Sequence, residues 1–223
     1  MPRPELKDVV SLITEPLQKL GYQRRKIGFF TYEFNKDVLG VIDFIVTKKP
    51  YGLVTDPFIG LRHQSVHRLY CQLEGDKFHP YDPPTMSTDL GVALIGQPPY
   101  QADHLGSWIF EDEEDLAKRG PSMVEAFRDH GMPYIEKHTS LEAVTEYLAE
   151  GDVPGRFSVV ALYLLKGLAA ALEHAERYLD RFNPELAVGV DYRRFIRRLL
   201  EHAKSEGKQI LLKSQHLQEL EDN

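Results

Sequence analysis

The stretch GYQRRKIGFFTYEFNKDVLGVIDFIVTKK, residues 21–49, decides the fold of this chain. Along residues 30–34 aromatic and polar side chains alternate, residues 35–37 have the composition of a turn, and residues 38–46 return as a β-branched and aromatic run. This pattern predicts a β-hairpin. Because two isolated strands are marginally stable in water, the hairpin needs further strands and a helix against its apolar face.

The sequence around this hairpin supplies those elements. Residues 4–20 carry apolar side chains at helical spacing and predict an N-terminal helix, which Pro16 bends or interrupts. Residues 52–62 predict a third strand, and Pro57 makes it an edge strand or splits it in two. Residues 90–95 predict a buried strand and residues 107–110 a short closing strand. We therefore expect an α+β fold, an antiparallel β-sheet with an N-terminal helix and with helices packed on one face.

The second half of the chain has a helical period. The acidic run at residues 111–115 predicts the start of a helix that kinks or breaks at Gly120-Pro121, and Thr139 predicts the cap of a short helix that follows. Beyond a turn-forming tract at residues 151–155 every segment has helical spacing. We therefore predict an α+β domain over residues 1–150 and an all-helical C-terminal extension over residues 151–223, packed on that domain.

Composition and charge restrict the function. The chain has 34 acidic and 27 basic side chains and a net charge of −7, which argues against a nucleic-acid binder that neutralises phosphates. The charge suits a basic protein partner, and it is also a common surface of cytoplasmic proteins. The lone Cys71 has no internal disulfide partner, no export signal is visible, and the most apolar run contains Lys166. We expect a cytoplasmic protein that is not embedded in a membrane.

Two enzyme hypotheses rest on individual residues. His63 and His67 have the i, i+4 spacing of a helical metal site, with His79, Asp82 and His104 further along, but the pair lacks the glutamate of the HExxH pattern. Cys71 is the one thiol nucleophile, and a nucleophile of this kind needs a positioned base. Structural histidines and a buried cysteine are the competing interpretations. No GxSxG, GxxxxGK[ST] or GxGxxG signature occurs in the sequence.

Two charged surfaces suggest binding instead. The acidic run could mimic phosphates and occupy a basic cleft, or it could be a solvated helix start that the helix dipole favours; it consists of Glu111, Asp112, Glu113, Glu114 and Asp115. A basic helix face could bind an acidic partner or be solvated; it consists of Arg193, Arg194, Arg197 and Arg198.

The chain resembles a bacterial family of domains of unknown function that is associated with toxin–immunity loci. The matching sequence motifs are residues 20–25 (LGYQRR), 30–32 (FTY), 37–38 (DV) with 41–44 (VIDF), Trp108, and residues 131–143 (GMPYIEKHTSLEA). The resemblance covers roughly residues 5–150. It departs from the family at Asp43, where the family commonly has asparagine, and in the long segment 63–106.

This resemblance implies a non-enzymatic immunity protein without a cofactor, which binds and inhibits a cognate secreted toxin. A nuclease that acts in the cytoplasm after delivery by a type VI or contact-dependent system is the preferred target. We predict that the inhibitor occludes the active site of the toxin with the acidic run and with aromatic side chains from adjoining loops, namely Tyr81, Tyr100 and Trp108. A scaffold or adaptor that binds through residues 155–223 is a further alternative.

Overall fold

The structure is a computed structural model that describes residues 3–81, 83–94, 106–150, 155–179 and 187–207. The chain forms two compact units, each assembled from two separate stretches. The sheet unit consists of Met1–His63 and Tyr81–Thr139, and the helical unit consists of Gln64–Pro80 and Ser140–Asn223. The predicted α+β class is confirmed, because an N-terminal helix, an antiparallel sheet and a helical C-terminal part are all present.

The sheet unit combines an antiparallel sheet with helices at both ends of its sequence. Its elements are α1 (Leu6–Lys19), β1 (Gln23–Lys26), β2 (Phe29–Asn35), β3 (Val38–Lys49), β4 (Gly52–His63), β5 (Met86–Asp89), α3 (Leu90–Ala93), β6 (Trp108–Phe110), α4 (Glu113–Ala126), a π-helical turn (Phe127–Gly131) and α5 (Met132–Glu136). The strand order is β1-β2-β3-β4-β5, and β6 pairs with β4. The predicted hairpin is confirmed as β2 and β3, which pair from Phe29 opposite Asp43 to Asn35 opposite Val38.

Strand β4 lies inside the sheet, so the prediction that Pro57 makes it an edge strand or splits it is wrong. β4 pairs with β3 along its whole length, from Gly52 opposite Lys49 to His63 opposite Val38. Its other side pairs with β6 and with β5, and the position of Pro57 falls between these two pairings. The sheet therefore accommodates a residue without a backbone N–H where its ladder changes partner.

Neither of the two prolines interrupts its helix. Pro16 lies within the continuous helix α1, and Pro121 lies within the continuous helix α4. A Cβ at Gly120 would lie 2.2 Å from Cδ2 of Leu12, so the glycine lets α4 approach α1 closely. Further along, the ring of Phe127 packs edge-on against Phe44 of β3, with 5.7 Å between ring centroids. These contacts hold α4 in place although Pro121 cannot donate a backbone hydrogen bond within the helix.

The helical unit contains one helix that the sequence did not predict. Its elements are α2 (Gln64–Glu74), α6 (Leu141–Glu150), α7 (Arg156–Lys166), α8 (Leu168–Leu179) and α9 (Ala187–Ser205). α2 lies between the elements predicted over residues 52–62 and 90–95, and it buries Val66, Leu69 and Leu73 in the core that α7, α8 and α9 also form. The strand predicted over residues 90–95 is also wrong, because β5 ends at Asp89 and the short helix α3 follows.

The two compact units do not coincide with the predicted division at residue 150. Residues 64–80 belong to the helical unit although the sheet unit surrounds them in sequence, and α6 belongs to the helical unit as well. Ser140 rather than Thr139 caps α6, since its hydroxyl accepts a hydrogen bond from the backbone N–H of Ala143 at 3.1 Å. Within the described ranges, none of the helices combines the length and the apolar character that crossing a bilayer requires.

Candidate functional site

The acidic run forms the start of α4, as predicted, and two of its members build that start. The carboxylate of Asp112 accepts a hydrogen bond from the backbone N–H of Asp115 at 2.9 Å. The carboxylate of Asp115 accepts from the backbone N–H of Glu111 and from Nη1 of Arg119, both at 3.3 Å. Arg119 also donates to the carbonyl of Ile109 in β6 at 2.8 Å. Asp112 and Asp115 therefore cap the helix and fix it beside β6.

The other three members of the run project outward. Glu111, Glu113 and Glu114 are exposed, and within the described residues their carboxylates form no hydrogen bond or ion pair that holds them to the fold. Their charge is favourable where they stand, since the N-terminal end of a helix carries a partial positive charge. We call these three residues the acidic surface. It presents three carboxylates on a helix start that Asp112 and Asp115 hold in one orientation.

The two predicted aromatic residues that the structure describes differ in burial. Trp108 is completely buried, and its Nε1 donates a hydrogen bond to Oγ of Ser122 at 3.1 Å. Its role as an anchor for a partner is therefore corrected, because an indole with a satisfied N–H inside the core is unavailable to a second protein. Tyr81 is half-buried, and the guanidinium of Arg25 lies 4.2 Å from the centroid of its ring. Tyr100 lies outside the described residues.

The two histidines with metal-site spacing belong to different secondary-structure elements. His63 is the last residue of β4 in the sheet unit, where its Nδ1 lies 3.0 Å from Oδ2 of Asp37 and its backbone N–H donates to Oγ1 of Thr85 at 2.8 Å. His67 lies in α2 of the helical unit, buried with its ring centroid 4.5 Å from that of Phe157. The i, i+4 spacing therefore does not place both imidazoles on one helix, so these two residues lack the helical geometry that the metal-site alternative needed.

Two of the remaining residues of the enzyme hypotheses lie in the part of the chain that the structure describes. Cys71 is buried in α2, and His79 is exposed in the helical unit. His104 and Asp82 lie outside the described residues. Among the residues that the structure describes, no group of three histidine, cysteine, aspartate or glutamate side chains could hold a metal ion.

A buried serine–histidine pair occurs in the helical unit. Oγ of Ser158 lies 2.9 Å from Nε2 of His174 and 2.6 Å from the carbonyl of Gly155. The carbonyl can only accept, so the hydroxyl gives its proton to Gly155 and the imidazole Nε2–H donates to the hydroxyl. Burial, with a smaller contribution from Arg177, lowers the pKa of His174. The pair therefore joins α7 to α8 as a neutral structural contact.

The basic face of α9 is partly structural. Nη1 of Arg198 donates to the carbonyls of Leu73 and Glu74 at the C-terminal end of α2, at 2.9 and 2.7 Å. The carboxylate of Glu74 pairs with Arg156 of α7 and lies 3.9 Å from Arg198. We call these three charged residues the Glu74 cluster. The interpretation of Arg198 as a solvated residue is corrected, because it caps another helix.

A second group of polar residues was missed by the sequence analysis. A cleft of about 390 Å³ lies within the helical unit between residues of α2, α7 and the C-terminal end of α9, and we call it the polar cleft; it is lined by Ser65, Arg68, Leu69, Gln72, Tyr163, Leu164, His202 and Glu206. The one sequence feature that could have indicated part of this group is the i, i+4 spacing of His202 and Glu206. Nothing in the sequence brought residues 65–72 next to them.

The chain matches no model of a known protein family, no curated protein and no solved structure. The resemblance to toxin-associated domains therefore stays an expectation that rests on the quoted motifs.

Proposed function

We propose that this protein is an immunity protein, which binds a cognate secreted toxin through the acidic surface and blocks the basic cleft of its active site. The observation that supports the proposal is the exposure of Glu111, Glu113 and Glu114 on a helix start that other residues hold rigid. The immunity class and the nuclease target come from the motif resemblance, and the net charge of −7 is compatible with a basic partner.

The mechanism we propose is occlusion by a surface that is ordered before binding. Opposite charges accelerate the encounter of two proteins, and a nuclease cleft is basic because it binds phosphates. Because Asp112 and Asp115 already fix the helix start, little backbone entropy is lost when the acidic surface meets its partner. Of the two predicted aromatic anchors that the structure describes, Tyr81 is the half-buried one. Trp108 contributes by supporting the strand that precedes the helix.

The test begins with the partner. The product of the neighbouring open reading frame is co-expressed with this chain, the complex is purified, and its Kd is measured by isothermal titration calorimetry at low and at high salt. The test variant carries Glu111→Gln, Glu113→Gln and Glu114→Gln, which remove three charges and keep both capping aspartates. The control carries Glu142→Gln, Glu146→Gln and Glu150→Gln, which remove three exposed carboxylates from α6.

The variant of the acidic surface should bind at least about tenfold more weakly at low salt, and its Kd should depend less on salt, because screening acts on the charges that it lacks. The control should stay within about twofold, since it changes the net charge equally at another place. Equal effects of the two triple variants, or no effect of the first, would contradict the proposed surface. Failure of the neighbouring product to bind at all would count against the immunity function itself.

A further inference from the structure

Strand β1 is an exposed edge of the sheet. It pairs with β2 on one side, and within the described residues no strand pairs with its other side. All of its residues, Gln23–Lys26, are exposed. An edge strand presents backbone N–H and C=O groups that can pair with a further strand. The outer side of β1 is therefore a place where an extended chain can add to the sheet.

Three consecutive residues of β1 are cationic, and we call Arg24, Arg25 and Lys26 the basic edge. Within the described residues none of the three pairs with a carboxylate. Nε of Arg25 donates to Oγ1 of Thr31 at 2.8 Å, and Nζ of Lys26 lies 4.9 Å from the ring centroid of Phe29. These contacts orient two of the cations and leave their charge in place. The basic edge is therefore a positive surface on a chain whose net charge is −7.

The cations of the basic edge flank both faces of the sheet. Arg24 lies opposite Phe30 of β2, and Lys26 lies opposite Phe29. Residues that lie opposite each other in a ladder share a face, and successive residues of β2 point to opposite faces. A strand added to β1 would therefore meet Arg24 on one face and Lys26 on the other. A run of acidic residues fits this arrangement better than an alternation of acidic and neutral residues.

A cleft of about 400 Å³ adjoins the basic edge on the side of Arg24. It lies between one face of α1 and the C-terminal end of β1, and it is lined by Lys7, Ser11, Thr14, Glu15, Arg24 and Ile27. Glu15 pairs with Lys19 of the same helix at 2.7 Å, so its charge is compensated there. Ile27 is 58% exposed and offers an apolar contact to a β-branched side chain. The cleft gives room to the side chains on one face of an added strand.

Charge and backbone chemistry together select the occupant. Pairing of β1 with β1 of a second copy would place like charges beside each other, which is unfavourable. A nucleic acid supplies negative charge, but it has no row of N–H and C=O groups that continues a β-ladder. An extended acidic peptide supplies both the negative charge and the backbone groups.

We infer that the basic edge binds an extended acidic segment of a partner protein, which adds to the sheet as a strand beside β1. Its backbone pairs with the outer N–H and C=O groups of β1, and its carboxylates pair with Arg24 and Lys26 on the two faces. One of its β-branched side chains lies against Ile27. This inference does not depend on the proposed immunity function, in which the carboxylates of the acidic surface meet a basic partner.

The experiment titrates the full chain with the peptide EEVEEVEE, acetylated and amidated at its ends, by isothermal titration calorimetry. The peptide EEPEEPEE keeps every carboxylate, whereas its prolines remove one N–H from each edge of the extended chain. The peptide QQVQQVQQ keeps the backbone donors and removes the charges. EEVEEVEE should bind saturably and slow the hydrogen exchange of backbone N–H groups in β1, and each control peptide should bind at least about tenfold more weakly.

Absence of saturation up to about 5 mM EEVEEVEE would overturn the inference. Equal binding of EEVEEVEE and EEPEEPEE would also overturn it, because strand addition would then contribute nothing. An oligothymidylate of the same length is titrated as well. If it bound as tightly as EEVEEVEE, the basic edge would attract any anion, and the peptide assignment would be wrong.

Variants locate the site on the sheet. Arg24→Gln and Lys26→Gln should each weaken EEVEEVEE binding at least about threefold, because each removes one cation from one face. The matched control is Lys36→Gln, which removes an exposed cation from the turn between β2 and β3 and should leave the Kd unchanged. Circular dichroism checks that each variant is folded. If the folded Arg24 and Lys26 variants bind as the parent chain does, or if Lys36→Gln weakens binding equally, the assignment is wrong.

Discussion

The start of α4 and the Glu74 cluster both use carboxylates at helix ends, and they differ in how far their partners lie along the chain. At the start of α4, the Asp112 carboxylate accepts from a backbone N–H three residues away, and Arg119 reaches a carbonyl ten residues away. In the Glu74 cluster, Arg156 and Arg198 come from 82 and 124 residues away. The first arrangement stabilises one helix end, whereas the second joins three helices. Disrupting the second should therefore lower the free energy of unfolding more.

The largest effect is expected for Glu74→Ala. The Glu74 side chain is only 16% exposed, and its loss leaves Arg156 and Arg198 without their carboxylate partner. The free energy of unfolding should fall by about 2 kcal/mol. The matched control is Glu173→Ala on α8, where the carboxylate is 75% exposed and pairs with Arg177 at 3.8 Å.

Urea unfolding of both variants tests this comparison. An exposed i, i+4 pair contributes at most about 0.5 kcal/mol, so the control should change the free energy of unfolding by no more than that. If Glu74→Ala and Glu173→Ala lowered the free energy of unfolding equally, the Glu74 cluster would contribute no more stability than an exposed ion pair.

An intermediate effect is expected for Asp112→Ala. This change removes the N-cap of α4, so the free energy of unfolding should fall by about 1 kcal/mol. Asp112→Asn keeps an oxygen that accepts from the backbone N–H of Asp115 and should cost only a few tenths of a kcal/mol. The measurement is again urea unfolding, and a loss of equal size for both changes would mean that charge rather than capping fixes the helix start.

The smallest effect is expected from the pair of Ser158 and His174, which are 16 residues apart. Burial lowers the pKa of His174 in the folded protein, so the unfolded chain takes up the proton first as the pH falls. The contribution of His174 to stability is therefore complete above about pH 6.5 and decreases below it. His174→Gln keeps a donor for Ser158 and does not titrate.

Urea unfolding at several pH values compares the two chains. Between about pH 7.5 and pH 5.5 the free energy of unfolding should fall more steeply for the parent chain than for His174→Gln. Parallel pH profiles would show that His174 is not held neutral in the folded protein.

Local patterns in the sequence predicted the elements that depend on local interactions. The alternation in residues 30–34 and the turn at residues 35–37 fixed β2 and β3, and the acidic run fixed the start of α4. The position of Pro57 was misread because a single strand does not reveal that β5 and β6 pair on either side of the proline. The acidic run is exposed at three of its five carboxylates, as a partner-binding surface would need, whereas the burial of Trp108 was not anticipated.

The sequence by itself determined the period of the hairpin strands and of the helices beyond residue 111, because side-chain alternation and helical spacing act within a few residues. It thereby determined the α+β class and the acidic character of one helix start. Only the tertiary structure decided that α2 joins the helical unit, that Arg198 caps α2, and that Arg68 and Glu206 line one cleft. The contact of Arg198 with α2 and the cleft between Arg68 and Glu206 each join residues more than a hundred positions apart in sequence. Helix α2 packs against helices that are likewise remote from it in sequence. These arrangements arise from burial of apolar faces shared by several helices, which no local pattern encodes.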